Sequence, residues 1–182
     1  MTRYVGFLRA INVGGHLVKM DALRTLFEAM GFGAVETFIA SGNVLFYAEE
    51  CNTRLLEEKI AARLREALGY EVATFIRTVD ELREIARYEP FAATPLEAGA
   101  GAVYVGFAAR TLDEATQRVI MSFRTAVDDF HVNQRQVYWL CRIRSSDSEF
   151  SLARFEKATG VQATFRNMTT IGKMAERYGG GG

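Results

Sequence analysis

The two prolines of this chain, Pro90 and Pro95, both fall in the stretch YEPFAATPLEAGAGA. The stretch also contains Gly99 and Gly101, and its apolar residues follow neither a helical nor a strand period. Glycine and proline clusters without periodicity interrupt secondary structure. We therefore predict a linker over residues 89–101, which divides the 182 residues into two halves of similar length.

The hydrophobic pattern before the linker predicts elements in the order β-α-β-β-α-β, followed by one more helix. Apolar residues recur at helical spacing at Met20, Leu23, Phe27 and Met30, which is typical of a helix with one buried face. The predicted strands cover residues 3–9, 34–40, 43–48 and 71–77, and the predicted helices cover 20–30, 53–68 and 79–88.

The pattern after the linker repeats this order. The predicted strands cover residues 102–109, 129–132, 136–143 and 161–167, and the predicted helices cover 112–124, 149–158 and 170–177. Two tetrapeptides, TVDE at 78–81 and TLDE at 111–114, match a capping box. In this motif a threonine oxygen and a glutamate side chain bind free amides at the start of a helix.

A β-α-β-β-α-β order is the plan of ferredoxin-like domains, in which both helices cover one face of an antiparallel sheet. We predict an α+β protein of two tandem ferredoxin-like subdomains, residues 1–88 and 102–178, each with an extra helix, and a flexible glycine tail at 179–182. In the expected strand order Phe7, Phe46 and Phe75 form a row on one sheet face. Either another part of the protein or a second copy covers this row, or single-stranded RNA stacks on it.

The composition restricts the classes of function. Twenty-two basic and 22 acidic residues cancel, so no overall field attracts nucleic acid or an anionic membrane, and a nucleic-acid role needs a local patch. No apolar run approaches the ~18 residues of a membrane span, and we expect a cytoplasmic protein. Cys51 and Cys141 are too few for a disulfide framework and lack zinc-site spacing, so we expect neither a metal nor a cofactor.

The stretch FLRAINVGGH, residues 7–16, leads from the first strand into an unusually long loop. Loops of this kind take ~2–6 residues, whereas this one covers residues 10–19. Gly14 and Gly15 allow positive φ and a close approach to the backbone, and consecutive amides before a helix bind anions. Arg9 at the strand end is suited to a phosphate or carboxylate, or to a structural acid. The loop matches neither the P-loop nor the G-x-G-x-x-G motif, so a ligand loop and a structural loop both remain open.

Two further polar stretches lie at predicted strand ends. Ser41, Gly42 and Asn43 separate two alternating strands, which indicates a hairpin turn but also places hydrogen-bonding groups at the sheet edge. Arg166 and Asn167 precede the last helix, for which we predict Thr169 as the cap. Polar loop residues at several strand ends are the usual material of a binding site.

The stretches YVGFLRAINVGG, KMDALRTLFEAMGF, SGNVLF, EPF and LARFEKATGVQATFRNMTTIGKM together resemble the bacterial family called domain of unknown function sixteen ninety-seven. The sequence departs from its pattern at Ala10, where the family has glycine, and at Glu149, where it has Ser-Lys. The resemblance implies two ferredoxin-like subdomains and no established activity. It singles out as motif positions Arg9, Asn12, Gly14, Gly15, Ser41, Gly42, Asn43, Arg166 and Asn167.

Three classes of function follow from these patterns. The first is a binding protein that holds an anionic ligand, a nucleotide or a short single-stranded nucleic acid, between its two subdomains, with Arg9 and Arg166 meeting the charge. The second is an enzyme acting on a phosphorylated small molecule, for which His16 is a better candidate base than His131. The third is a module that forms homo-oligomers through its aromatic sheet face. We assign no catalytic residue from the sequence.

Overall fold

The computed structural model describes residues 1–12, 14–39, 42–94, 96 and 101–180. This part of the chain is a mixed α/β protein with two four-stranded antiparallel sheets and six α-helices. The strands are β1 (Thr2–Leu8), β2 (Gly33–Thr37), β3 (Asn43–Ala48), β4 (Thr74–Thr78), β5 (Ala102–Ala108), β6 (Asp128–Asn133), β7 (Gln136–Cys141) and β8 (Ala163–Asn167). The helices are α1 (Met20–Ala29), α2 (Thr53–Leu68), α3 (Val79–Arg87), α4 (Glu114–Met121), α5 (Leu152–Thr159) and α6 (Met168–Tyr178).

The chain forms two units. Unit 1 comprises Met1–Glu84 and Met174–Gly182, and unit 2 comprises Ile85–Lys173. The sequence placed the last helix in the second half, whereas the structure groups its C-terminal part with unit 1. Arg3 on β1 lies over the ring of Tyr178, 4.9 Å from its centroid, which fixes this part of α6 within unit 1. Of the predicted linker, residues 95 and 97–100 lie outside the described residues, as do residues 181–182 of the predicted tail.

The sheet of unit 1 has the strand order β2-β3-β1-β4, and the core lies between one of its faces and helices α1 and α2. Tyr4 pairs with Phe46 on this face, and Phe7 pairs with Phe75 on the other. The predicted row of three phenylalanines is therefore wrong, because Phe46 shares its face with Tyr4. Phe7 and Phe75 are buried and do not form an exposed stacking surface.

Strand β4 is an edge strand, and a carboxylate of α2 binds its outer side. The Oε1 atom of Glu57 accepts a hydrogen bond of 2.8 Å from the backbone N–H of Ile76. The Ala73 carbonyl accepts a bond from Arg9 and therefore points toward β1. Successive residues of an antiparallel strand direct their backbone groups alternately toward and away from the partner strand. Ile76 lies three positions after Ala73 and opposite Gly6, so its N–H points away from β1. Glu57 is buried and satisfies a donor that the sheet itself leaves without a strand partner.

The sheet of unit 2 repeats this arrangement with the order β6-β7-β5-β8, and the tetrapeptide YVGF occurs in the central strand of both sheets, at 4–7 and 104–107. The repeated glycine faces the helices in each unit. A Cβ atom at Gly106 would lie 2.5 Å from Cζ of Phe165, whereas one at Gly6 would lie 3.2 Å from Cδ1 of Ile76. The glycine of unit 2 thus makes room for an aromatic ring, and the ring joins the aromatic core that surrounds Trp139.

The two predicted capping boxes have different outcomes. At the start of α3 the box is confirmed, because Thr78 Oγ1 accepts from the Glu81 N–H at 3.0 Å and Glu81 Oε2 accepts from the Thr78 N–H at 2.7 Å. At the start of α4 the prediction is wrong. Asp113 is the cap there, and its Oδ1 accepts from the Thr116 N–H at 2.8 Å. A carboxylate one residue before the helix competes successfully with the threonine two residues earlier.

The helices of the described residues are all too short or too polar to cross a membrane. Cys141 is buried on the same face of β7 as Val137 and Trp139. Cys51 is exposed ahead of α2.

Candidate functional site

Three connections of unit 1 meet at one end of its sheet: residues 9–19 between β1 and α1, residues 38–42 between β2 and β3, and residues 69–73 between α2 and β4. The antiparallel register brings them together, because the end of β1 lies beside the starts of β3 and β4. Backbone bonds of 2.8 Å join them, from the Leu8 N–H to the Gly42 carbonyl and from the Arg9 N–H to the Ala73 carbonyl. We call this region the loop end of unit 1. Residues 13, 40 and 41 lie outside the described residues, so the predicted Ser41 is among those not described.

We call residues 9–19, the connection between β1 and α1, the glycine loop, and both of its flanks are held in place. The Oδ1 atom of Asn12 accepts from the Val18 N–H at 2.7 Å, and the Tyr70 hydroxyl donates to the Ile11 carbonyl at 2.8 Å. The apolar side chains of Ile11 and Val18 are buried. The His16 ring stacks on the Tyr70 ring with 3.9 Å between centroids, and His16 is exposed. Burial raises the pKa of Tyr70, so its hydroxyl stays protonated and can donate this bond at neutral pH.

Gly14 and Gly15 form the open part of this loop. Their φ angles are 65° and 85°, and no atom lies within 4 Å of where a Cβ would stand. Positive φ explains why both residues are glycine, because other L-residues adopt it at a cost. Helix α1 begins shortly afterwards, with Lys19 at its N-cap and no side-chain cap bond. Both glycines are exposed to solvent, and they precede this N-cap by five and four residues.

Gly42 and Asn43 hold the turn against the glycine loop. At Gly42, with φ 74°, a Cβ would lie 2.9 Å from Cγ2 of Ile11 and 3.1 Å from the carbonyl oxygen of Leu8. Asn43 is fully buried, and its Nδ2 donates to the Phe38 carbonyl at 3.1 Å. These two predicted site residues therefore have structural roles in shaping the loop end.

Two residues of the loop end other than glycine have a left-handed backbone conformation. Ala10 adopts φ 58°, in the left-handed region that favours glycine, and Ile39 on the neighbouring turn adopts φ 57°. Leu17 and Ile39 are among the few large apolar side chains with more than half of their surface exposed, at 81% and 56%. The loop end thus presents apolar side chains beside its open backbone.

Arg166 and Asn167 belong to unit 2, where both are bonded locally. The Arg166 Nη1 atom donates to Thr164 Oγ1 at 2.8 Å and to the Phe165 carbonyl at 3.0 Å. Burial lowers the pKa of Arg166 to about 10. Asn167 Oδ1 accepts from the Thr169 N–H at 2.8 Å, so α6 begins at Met168 with Asn167 as its cap, in place of the predicted Thr169.

The loop end contains the predicted Arg9 and several groups that sequence reasoning did not assign to it. Arg9 is half-buried where the glycine loop begins, and the exposed Lys19 ends this loop. Lys19, Leu17, Ile39 and Tyr70 were missed because no local motif marks them. Tyr70 comes from a loop almost sixty residues away, 59 positions from the Ile11 that it binds, and only the strand register brings it there.

The internal repeat provides a reference for the loop end. The connection of eleven residues at 9–19 corresponds in unit 2 to five residues at 109–113. The turn at 38–42 corresponds to two residues at 134–135, and the connection at 69–73 corresponds to three residues at 160–162. All three connections at this end are longer in unit 1, although unit 2 completes the same topology without the additional residues.

Comparisons with known proteins give a family and a fold. A family model described as protein of unknown function DUF1697 matches residues 1–138. A solved structure, that of the conserved bacterial protein SP0830 from Streptococcus pneumoniae, is similar with a TM-score of 0.74 and 22% sequence identity, over 96% of this chain and 97% of that one. No curated protein matches the sequence.

Proposed function

Because the chain belongs to the DUF1697 family of proteins of unknown function, we propose its function from the geometry alone: unit 1 binds a nucleotide or a similar anionic small molecule at its loop end. The observation that carries the proposal is the length of the three connections. Each exceeds its counterpart in unit 2, and all three lie at the same end of one sheet. Loop residues beyond those that a fold needs are where binding sites are usually built.

The groups at the loop end suit the parts of a nucleotide. The exposed backbone of Gly14 and Gly15 beside the start of α1 is suited to a phosphate, with Lys19 contributing charge. The His16 ring lies flat on Tyr70 and is exposed, so its outer side offers a stacking surface for a base. Asn12 and Tyr70 hold the loop before any ligand arrives, which lowers the entropy lost on binding.

Thermal unfolding with defined probes tests the proposal. We would measure the midpoint of the full chain with inorganic phosphate, ribose 5-phosphate, AMP and a short oligouridylate. A probe at a hundred times its dissociation constant stabilises the protein by about 2.7 kcal/mol. We expect a rise with AMP that exceeds the rise with ribose 5-phosphate, because only AMP has a base to stack on His16.

Four variants locate the binding. Lys19→Gln and His16→Ala should each weaken AMP binding, whereas Arg54→Gln, which removes an exposed charge on α2, should leave it unchanged. The double variant His16→Ala/Lys19→Gln changes two exposed side chains and keeps the buried Ile11 and Val18 in place, so it should weaken AMP binding more than either single substitution while the protein stays folded. Equal AMP binding by the double variant and by the wild type would refute the site, and a response to oligouridylate alone would redirect the proposal to single strands.

A finer inference about the fold accompanies the proposal. Each half is inferred to be a ferredoxin-like subdomain, which is supported by the β-α-β-β-α-β order and by the strand orders β2-β3-β1-β4 and β6-β7-β5-β8. The proposed site uses residues of unit 1 alone, so a ligand shared with Arg166 and Asn167 stays a prediction from the sequence. Self-association through Phe7 and Phe75 is not part of the proposal, because both side chains are buried.

A further inference from the structure

Unit 2 contains a cavity of about 500 Å³ that the proposed function does not use. Its floor is the sheet face opposite the aromatic core, where Val103 on β5 pairs with the fully buried Leu140 on β7. Its wall is the EPF stretch, residues 89–91, which the sequence analysis singled out without assigning it a role. The volume lies in the range of cavities that bind small molecules.

The wall of the cavity is fixed by hydrogen bonds and ring contacts. The Tyr88 hydroxyl and His131 Nε2 are 2.7 Å apart, and the Tyr88 ring lies 5.1 Å from the Tyr138 ring. The EPF stretch turns back on itself, because the Glu89 carbonyl accepts from the Ala92 N–H at 3.2 Å and the Phe91 carbonyl accepts from the Thr94 N–H at 2.8 Å. A cavity with a wall held in this way is largely formed before a ligand enters.

The residues that line the cavity indicate which kind of ligand it suits. The floor of the cavity is apolar, with Val103 and Leu140, and its wall combines the apolar Pro90, Phe91 and Met168 with polar side chains. Among the described lining residues, Glu89 alone carries a charge, and the aromatic rings of Tyr88 and Phe91 line the same space. A carboxylate and aromatic rings both attract a cation, whereas they repel an anion.

We propose that this cavity is a second binding site, which takes a small apolar amine: a hydrophobic body against Val103, Pro90 and Phe91, and a protonated amino group at Glu89. The occupant differs in sign from the anionic ligand proposed for unit 1. The two sites are therefore separable by experiment, and this proposal does not depend on the other.

Three probes that share a phenethyl group but differ in charge test the site. We would titrate the full chain with phenethylamine, phenethyl alcohol and hydrocinnamate by calorimetry. We expect the amine to bind more tightly than the alcohol, and the acid to bind least. Tightest binding of the acid, or no binding of the amine at millimolar concentration, would overturn the proposal.

Glu89→Gln and Val103→Phe locate the amine. Glu89 is exposed at the rim, so Glu89→Gln leaves the fold intact and should weaken amine binding about threefold to fivefold without affecting the alcohol. Glu149→Gln, an exposed charge elsewhere in unit 2, is the matched control and should change neither. Val103→Phe fills the floor and should weaken both amine and alcohol about tenfold or more. Unchanged amine affinity in Glu89→Gln contradicts the proposal, whether or not Val103→Phe folds.

Discussion

Substituting alanine for the repeated glycine should destabilise unit 2 and leave the stability of unit 1 almost unchanged. Gly6 and Gly106 occupy the same place in the two YVGF strands, and both have ordinary φ angles. At Gly106 a Cβ would lie 2.5, 2.7 and 2.9 Å from three atoms of the Phe165 ring. Carbon atoms normally approach to about 3.5–4.0 Å, so the new methyl group overlaps a rigid ring by about 1 Å.

The magnitude follows from two opposing contributions. Overpacking of this kind costs about 1–3 kcal/mol, and replacing glycine within a strand returns about 0.5–1 kcal/mol. We therefore expect Gly106→Ala to lower the free energy of unfolding by about 1–2 kcal/mol. Gly6→Ala should stay within about 0.5 kcal/mol of the wild type, because its closest contact, at 3.2 Å, is the flexible end of Ile76.

Urea unfolding provides the assay, and Trp139 provides a local signal. It is the only tryptophan of the chain, and it lies in the aromatic core of unit 2, with its ring 6.4 Å from that of Phe165. The Phe165→Val variant removes the obstructing ring, so Gly106→Ala/Phe165→Val should be no less stable than Phe165→Val alone. The reasoning fails if Gly106→Ala is as stable as Gly6→Ala, or if the two substitutions of the double variant add.

Three further predictions concern the caps and the loop end. Thr78→Ala should lower the free energy of unfolding by about 1 kcal/mol and Thr111→Ala by less than about 0.5 kcal/mol, measured by urea unfolding, because only the first removes a cap bond. Gly42→Ala should cost about 2 kcal/mol more than Gly14→Ala in the same assay: both have positive φ, but only Gly42 lacks space for a Cβ. The bonds that Asp113 accepts from Thr116 lower the pKa of its carboxyl, so its stabilisation is present above about pH 4, the unfolded value, and is lost as the pH falls through the lower folded value. Asp113→Asn should reduce this loss in unfolding midpoints measured down to about pH 3, and an unchanged pH profile would contradict the assignment.

Local pattern predicted most of the secondary structure. Strand β3 and helix α2 have the bounds that the sequence indicated, because a turn or cap residue marks where each begins and Gly69 ends the helix. Helix α4 begins two residues later than predicted, since Asp113 is a stronger cap than Thr111. The prediction that Phe46 lies on the same sheet face as Phe7 was wrong. Alternation identifies which residues of one strand share a face, but only the register between β1 and β3 decides that Phe46 shares its face with Tyr4.

The sequence predicted less of the candidate site than of the fold. The motif residues Asn12, Gly14 and Gly15 lie where the pattern placed them, in the loop after β1. Their neighbour Tyr70 could not be found, because it reaches the loop through the pairing of β4 with β1. The excess length of the three connections also became visible only when the bounds of both units were known.

The bond between Glu57 and Ile76 has a consequence for the behaviour of the protein in a crowded solution. An edge strand with free outward amides is a template on which a strand of another molecule can add, and continued addition leads to aggregates. On β4 the Glu57 carboxylate already occupies one of these amides, and Glu57 comes from a helix that also supports the core. The same side chain that completes the hydrogen bonding of the sheet at Ile76 thereby removes one of the sites at which a strand of another molecule could pair with this edge.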